Sequence, residues 1–172
     1  MARWGWLSAA FVAAGLGVGS GAGAQTLSID DPSYLALGLG AFDALHSETA
    51  AEGRLEYRSS TKLLGFLKPV VGGIVTSDGG AYGYGGFMTD IYFSPRWVLS
   101  PSATVGVFEK GNGKRLGSWV EFKTGAEFAY RFDDRSRLGV SFHHISNAGL
   151  TTLNPGEESF ELVWSIPFSL LK

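Results

Sequence analysis

From residue 34 onward, apolar and polar positions alternate with a period of two, in runs separated by turn residues. Successive side chains of a strand point to opposite faces, so each run reads as a two-faced β-strand. The pattern predicts eight strands, over 34–45, 51–59, 64–76, 81–94, 97–109, 117–132, 136–146 and 157–168. In the second, Glu52, Arg54, Glu56 and Arg58 alternate with Gly53, Leu55 and Tyr57. In the sixth, Val120, Phe122, Ala126, Phe128, Tyr130 and Phe132 share one face, and Glu121, Lys123, Glu127 and Arg131 the other.

Alternation alone fits a soluble sandwich, with its apolar face buried, and a membrane barrel, with its apolar face to lipid. Three features favour the barrel. The strands are long enough for a tilted bilayer crossing, which takes about nine residues or more. Aromatic residues recur near strand ends, as interfacial girdles require. The polar faces carry both signs of charge, which can pair in the narrow lumen of an eight-stranded barrel. The expected fold is therefore all-β, an eight-stranded antiparallel up-and-down transmembrane β-barrel. An even strand number puts both termini on one side, expected to be periplasmic. Segments 60–63, 95–96 and 133–135 then read as periplasmic turns, and 46–50, 77–80, 110–116 and 147–156 as outward loops.

Composition narrows the class further. The 172 residues suit one domain. A formal charge of −2 gives no basic excess for nucleic acid. Without cysteine there is no disulfide or thiolate metal site, and three scattered histidines suggest no metal cluster. Mean hydropathy is only +0.10, low for a helical membrane protein. The N-terminus has the form of a secretory leader: Arg3, an apolar stretch from Trp4 to Val18, and the A-x-A site Ala22-Gly23-Ala24. The expected division is a signal peptide over 1–24 and the barrel domain over 25–172, with Gln25 as the first mature residue.

Candidate chemistry lies at the seventh and eighth strands. His144 and Ser146 are two apart, so both side chains leave one face, about 7 Å apart along the strand. A histidine so placed can take the proton of an attacking hydroxyl, and a carboxylate can fix its tautomer. His144 and Ser146 continue the apolar series Leu138, Val140, Phe142, and Glu158 continues Phe160, Leu162, Trp164, Ile166, Phe168. All three thus fall in phase with the lipid face, where unpaired polar groups are costly.

The segment His144-x-Ser146-Asn147-Ala148-Gly149, followed by Asn154-Pro155-Gly156-x-Glu158, resembles the signature of the PagL-type lipid A 3-O-deacylases. The resemblance implies an eight-stranded outer-membrane barrel, multi-pass with both termini periplasmic, that removes the 3-linked acyl chain of lipid A as a serine esterase. It implies His144 as base, Ser146 as nucleophile and Glu158 as orienting carboxylate. Asn147 matches the proposed oxyanion-hole residue, and Asn154 is a second polar support. It implies no cofactor and no metal. The expected partners are lipid A or lipopolysaccharide as substrate and the outer-membrane lipids, with a homodimer as an option and no nucleic acid. The chain departs from the usual aromatic ending of such barrels, because Ser169-Leu170-Leu171-Lys172 follows Phe168.

Other polar residues have plainer readings. His143 and Ser141 form a second pair, but in lumen phase, as interior packing. Glu157 is in lumen or rim phase, and His46 reads as a solvated loop residue. Gly83, Gly85 and Gly86 are not followed by a helix, so they suggest strand bending rather than a phosphate loop. The competing function is a non-catalytic outer-membrane barrel serving adhesion or envelope structure, but its loops would be longer than these. A third reading, an exported lipid-binding barrel, calls for an apolar lumen and meets charged inner faces instead.

Overall fold

A computed structural model describes residues 31–171. The expected leader, 1–24, lies outside the described residues. Among these, the strand segments are β1 (Tyr34–Phe42), β2 (Ala50–Arg58), β3 (Lys68–Thr76), β4 (Ala81–Met88), β5 (Ile91–Tyr92), β6 (Trp97–Glu109), β7 (Val120–Arg131), β8 (Arg137–Ser146) and β9 (Glu157–Pro167). Neighbours in sequence pair antiparallel, β9 returns to β1, and β4 pairs with β6. The ring is thereby closed. Segments β4 and β5 are one strand broken at Thr89-Asp90, so the barrel has the expected eight strands. The break turns Asp90 inward, where it accepts from Lys68 (2.8 Å), Arg137 (3.0 Å) and Ser100 (2.6 Å).

The faces follow the sequence parity. Leu39, Val140 and Leu162 are 74%, 61% and 57% exposed on the outer surface. Monomeric soluble proteins rarely expose so extensive an apolar band; in a bilayer the same band is the favoured one. The charged series points inward. Arg58 bridges Glu56 (2.8 Å) and Glu127 (2.6 Å), and Arg54 reaches Glu161 (2.7 Å). Lys123 lies over the Tyr84 ring, whose hydroxyl donates to Glu56 at 2.7 Å. These buried charges are tolerated because each lies against opposite charge.

Two strand ends differ from the pattern for backbone reasons. Strand β1 stops at Phe42 rather than 45, because Asp43 adopts φ +53 and turns the chain. Strand β3 begins at Lys68 rather than 64, because Leu64 (φ +52) and Gly65 (φ +82) form a tight turn closed by the Leu63–Leu67 bridge. At the chain's end β9 gives way after Pro167 to a short 3-10 turn, Phe168–Leu170. The Phe168 ring packs edge-on against Tyr57, with centroids 5.5 Å apart. The loops 43–49, 77–80, 110–119 and 147–156 gather at the end of the barrel opposite Tyr34 and Pro167.

Candidate active site

The antiparallel register of β8 and β9 sets His144 directly opposite Glu158. Cross-strand partners on one face are the closest side-chain neighbours in a sheet. Here the pair meets on the outer face: Nδ1 of His144 is 3.0 Å from Oε1 of Glu158. An ionised carboxylate can only accept, so Nδ1 is the donor of this bond and Nε2 is directed away from Glu158. The ring is 39% exposed and the carboxylate 22%, so the pair is accessible from outside the barrel wall.

Ser146 follows on β8, between the lumen-facing, fully buried Ile145 and Asn147. It is half-buried on the same outer face as His144, opposite Phe122 of β7. Its hydroxyl makes no hydrogen bond to a described residue. The structure therefore brings His144 and Glu158 into direct contact and sets Ser146 beside them.

Gly156 closes the other side of the imidazole. It has φ +67, and a Cβ there would stand 2.6 Å from Cε1 of His144 and 3.3 Å from Nε2. Both the backbone conformation and the close approach require glycine. The Asn154-Pro155-Gly156 turn is thus part of the wall against which His144 is held.

The two asparagines differ in their surroundings. Asn147 is fully buried. Its Nδ2 donates to the carbonyls of Leu116 (3.0 Å) and Leu153 (2.8 Å) and to Thr151 Oγ1 (3.1 Å), while its Oδ1 accepts from Gly149 N–H. Its two amide hydrogens are fully committed to pinning loop 147–154 to loop 110–119. Asn154 is exposed, and its Oδ1 accepts the Asn147 backbone N–H at 2.9 Å. That contact orients the amide and leaves both Nδ2 hydrogens without a described partner, next to the residue that follows Ser146. Asn147 N–H thus ties Asn154 to the end of β8.

His46 is not the freely solvated residue the sequence suggested. Its Nδ1 lies 3.0 Å from Asp43 Oδ1 and 3.4 Å from Glu158 Oε2. Thr49 Oγ1 clamps this β1–β2 turn through the carbonyls of Asp43 and His46, and Ala44 N–H donates to the Glu158 carbonyl at 2.7 Å. Lys114 adds a 2.6 Å contact to Asp43 Oδ1. Glu158 is thus held from both sides, by His144 and by His46. The three carboxyl and imidazole groups of Asp43, His46 and Glu158 could approach one cation, but the Lys114 ammonium already neutralises Asp43. No local pattern marks His46, because its partner lies on a strand distant in sequence.

A surface depression of about 980 Å³ lies elsewhere, over the outer faces of β1–β4 among Leu37, Leu39, Leu55 and Val75. It offers aliphatic surface rather than reacting groups.

Comparison with known proteins identifies the family and the fold. A family model described as lipid A 3-O-deacylase (PagL) matches residues 51–167, which include His144, Ser146, Asn147, Asn154 and Glu158. A solved structure described as the outer membrane enzyme PagL superposes with a TM-score of 0.62 at 20% identity, over 78% of this chain and 99% of that one. At that identity the likeness shows the fold. No curated protein sequence matches the chain.

Proposed function

The chain belongs to the PagL family of lipid A 3-O-deacylases, and on that premise we propose that it cleaves the 3-linked acyl ester of lipid A with His144, Ser146 and Glu158 as a catalytic triad. Membership makes it an outer-membrane ester hydrolase. The assignment of its reacting groups is carried by one observation: a His144–Glu158 pair at 3.0 Å on the lipid-facing surface, with Ser146 on the same face.

In this reading Ser146 Oγ attacks the acyl carbonyl while Nε2 of His144 takes its proton. Glu158, bonded to Nδ1–H, fixes the tautomer and stabilises the imidazolium. The oxygen left on the carbonyl carbon takes hydrogen bonds from Asn154 Nδ2. Collapse expels the sugar 3-oxygen, which recovers the proton from His144. Water, deprotonated by the same ring, then releases the fatty acid from Ser146. No step calls on a metal. The Ser146 hydroxyl comes within reach of Nε2 by rotating about its own χ1, a rearrangement compatible with catalytic contacts that tighten only when substrate binds.

The same reading orients the barrel. Lipid A sits in the outer leaflet, so the loop end with the triad faces outward and the termini lie in the periplasm. Its esters lie near the boundary of sugar and acyl chains, level with the outer ends of β8 and β9. The substrate enters sideways, since a lumen filled by Arg54, Arg58, Glu56 and Glu127 has no room for a multi-chain lipid. Residues 1–24 act as the export leader in this reading, and mass analysis of the mature chain should begin at Gln25.

The deciding experiment is mass spectrometry of lipid A from cells with and without the protein. One acyl chain should be missing only when the protein is present, and Ser146→Ala should restore it. Unchanged lipid A with correctly assembled wild-type barrel sinks the proposal.

A further inference from the structure

The charges of the outward loops are unevenly shared. The loop 43–49 carries Asp43, His46 and Glu48, the loop 77–80 carries Asp78, and the loop 147–156 carries no charged residue. The loop 110–119 carries Lys110, Lys114 and Arg115 and no carboxylate. Lys114 is committed to Asp43 at 2.6 Å. Lys110 donates to the carbonyl of its neighbour Gly111 at 3.1 Å. Among the described residues, neither Lys110 nor Arg115 has a carboxylate within 4.0 Å. Both line a depression of about 210 Å³, together with Phe108 and Trp119. Glu109 is the one carboxylate of that lining, and it also borders the depression over β1–β4. The outer rim of the barrel thus has one cationic side, and two of its three cations are free to meet an anion.

This cationic loop is fastened beside the candidate nucleophile. Nδ2 of Asn147, the residue after Ser146, donates to the carbonyl of buried Leu116 at 3.0 Å. Gly117 has φ +106, and a Cβ there would stand 1.8 Å from the Leu153 carbonyl oxygen, so the two loops touch backbone to backbone. On β7, Phe122 pairs with Ser146. The ladder between β6 and β7 runs on past Val120, with Phe108 N–H donating to the Trp119 carbonyl at 2.9 Å. Trp119 lies three residues beyond Phe122, on the order of 10 Å along the strand direction. Its side chain is 69% exposed. An exposed tryptophan at a strand end of a membrane barrel sits at headgroup depth. Lys110 and Arg115 therefore stand at headgroup level, on the water side of Ser146.

We infer that Lys110 and Arg115 form a subsite for a phosphate on the sugar head of lipid A; this rests on the reading of Ser146 as the nucleophile. Lipid A is a phosphorylated glucosamine disaccharide, and the ester to be cleaved hangs from one of its sugars. With the ester carbonyl at Ser146 and the acyl chains along the barrel wall, the sugar head lies on the loop side, at the level of Trp119. Phosphate is the fully charged group of that head. A guanidinium presents a planar fork that matches two phosphate oxygens, and a lysine adds a compact charge. Glu48 and Asp78 on the other loops disfavour an anion there, so the head is turned with its phosphate toward the loop 110–119. The contact is made in the ground state and the transition state alike. It therefore acts on capture and orientation of the substrate, while the chemical step stays with the triad.

The test separates binding from turnover. The Ser146→Ala barrel, in micelles of a neutral detergent, is titrated with lipid A that carries its phosphates and with the same lipid A after their removal. The phosphorylated form should bind about tenfold more tightly at low salt, and added salt should narrow the gap, as for exposed ion pairs. Adding Lys110→Ala and Arg115→Ala together should abolish the preference, whereas Lys110→Arg should keep it. Heat-modifiable gel mobility confirms that each variant has folded. Phosphatidylglycerol mixed into the micelles at the same mole fraction as lipid A separates a substrate phosphate from anionic lipid in general, and the preference should survive it. A preference erased by phosphatidylglycerol overturns the proposal, and so does equal binding of the two lipid A forms by the Ser146→Ala barrel. Turnover of lipid A by the wild-type chain is read separately. Its absence sinks the esterase reading, while the binding comparison still decides the subsite.

Discussion

His143 and His144 are consecutive residues of one strand and could hardly have more different surroundings. His144 is directed outward, 39% exposed, bonded to one carboxylate and packed on Gly156. His143 is directed inward, almost fully buried, and faces three carboxylates without a hydrogen bond to any. Glu157 and Glu158 repeat the contrast on the neighbouring strand. Residue type does not separate these pairs; parity does. A strand puts each side chain into one of two surroundings, here lipid interface or sealed lumen, and the surroundings decide which groups an imidazole can meet.

The sharpest way to test that contrast is to remove each histidine. His144→Ala and Ser146→Ala should lower deacylation by roughly 10⁴-fold or more while the barrel still folds, as expected for a nucleophile–base pair. Glu158→Ala should retain more activity than either. His143→Ala should do the reverse, lowering the unfolding temperature clearly and turnover far less than His144→Ala does. Lipid A mass analysis and heat-modifiable mobility read the two effects; a folded Ser146→Ala variant with full activity removes the mechanism.

A second contrast divides the asparagines. Asn154→Ala should slow turnover by about 10²–10³-fold with little change in stability, the usual loss for one oxyanion donor. Asn147→Ala instead removes the donor to the Leu116 carbonyl, and a buried orphan costs about 1–3 kcal/mol. It should show mainly as a lower unfolding temperature. Turnover that depends on Asn147 alone would return the donor role to it.

Gly156→Ala probes the wall behind His144. The added Cβ must displace the ring or the turn, and a shift of about 1 Å can cost on the order of 10²-fold in rate. Binding of lipid A should change much less than turnover, since Gly156 meets the base and not the lipid; equal loss in both contradicts this placement.

The smallest expected effect is at His46. Because it touches Glu158 only by a 3.4 Å charge contact from behind, His46→Ala should lower turnover by about tenfold or less, at about 1.4 kcal/mol per tenfold. In the Glu158→Ala background the same substitution should have no further effect. An undiminished effect there would place His46 in contact with substrate instead.

Much of this was legible in the chain because strand periodicity is local. The charged series of β2 and β7, the apolar series ending in His144 and the one beginning at Glu158 fix strand positions, closure into a membrane barrel and the face of the candidate triad. Strand ends were less legible where backbone conformation overrode the pattern, at Asp43 and at Leu64-Gly65. Tertiary structure alone decided what depends on bringing distant strands together. The curl of β1–β2 carries His46 to Glu158, the docking of two loops engages Asn147 and leaves Asn154 free, and barrel closure turns Glu52 toward His143 and Glu157. The physical reason is that parity assigns a side chain to a face, whereas its partner on that face is set by which strands become neighbours across the sheet and across the lumen.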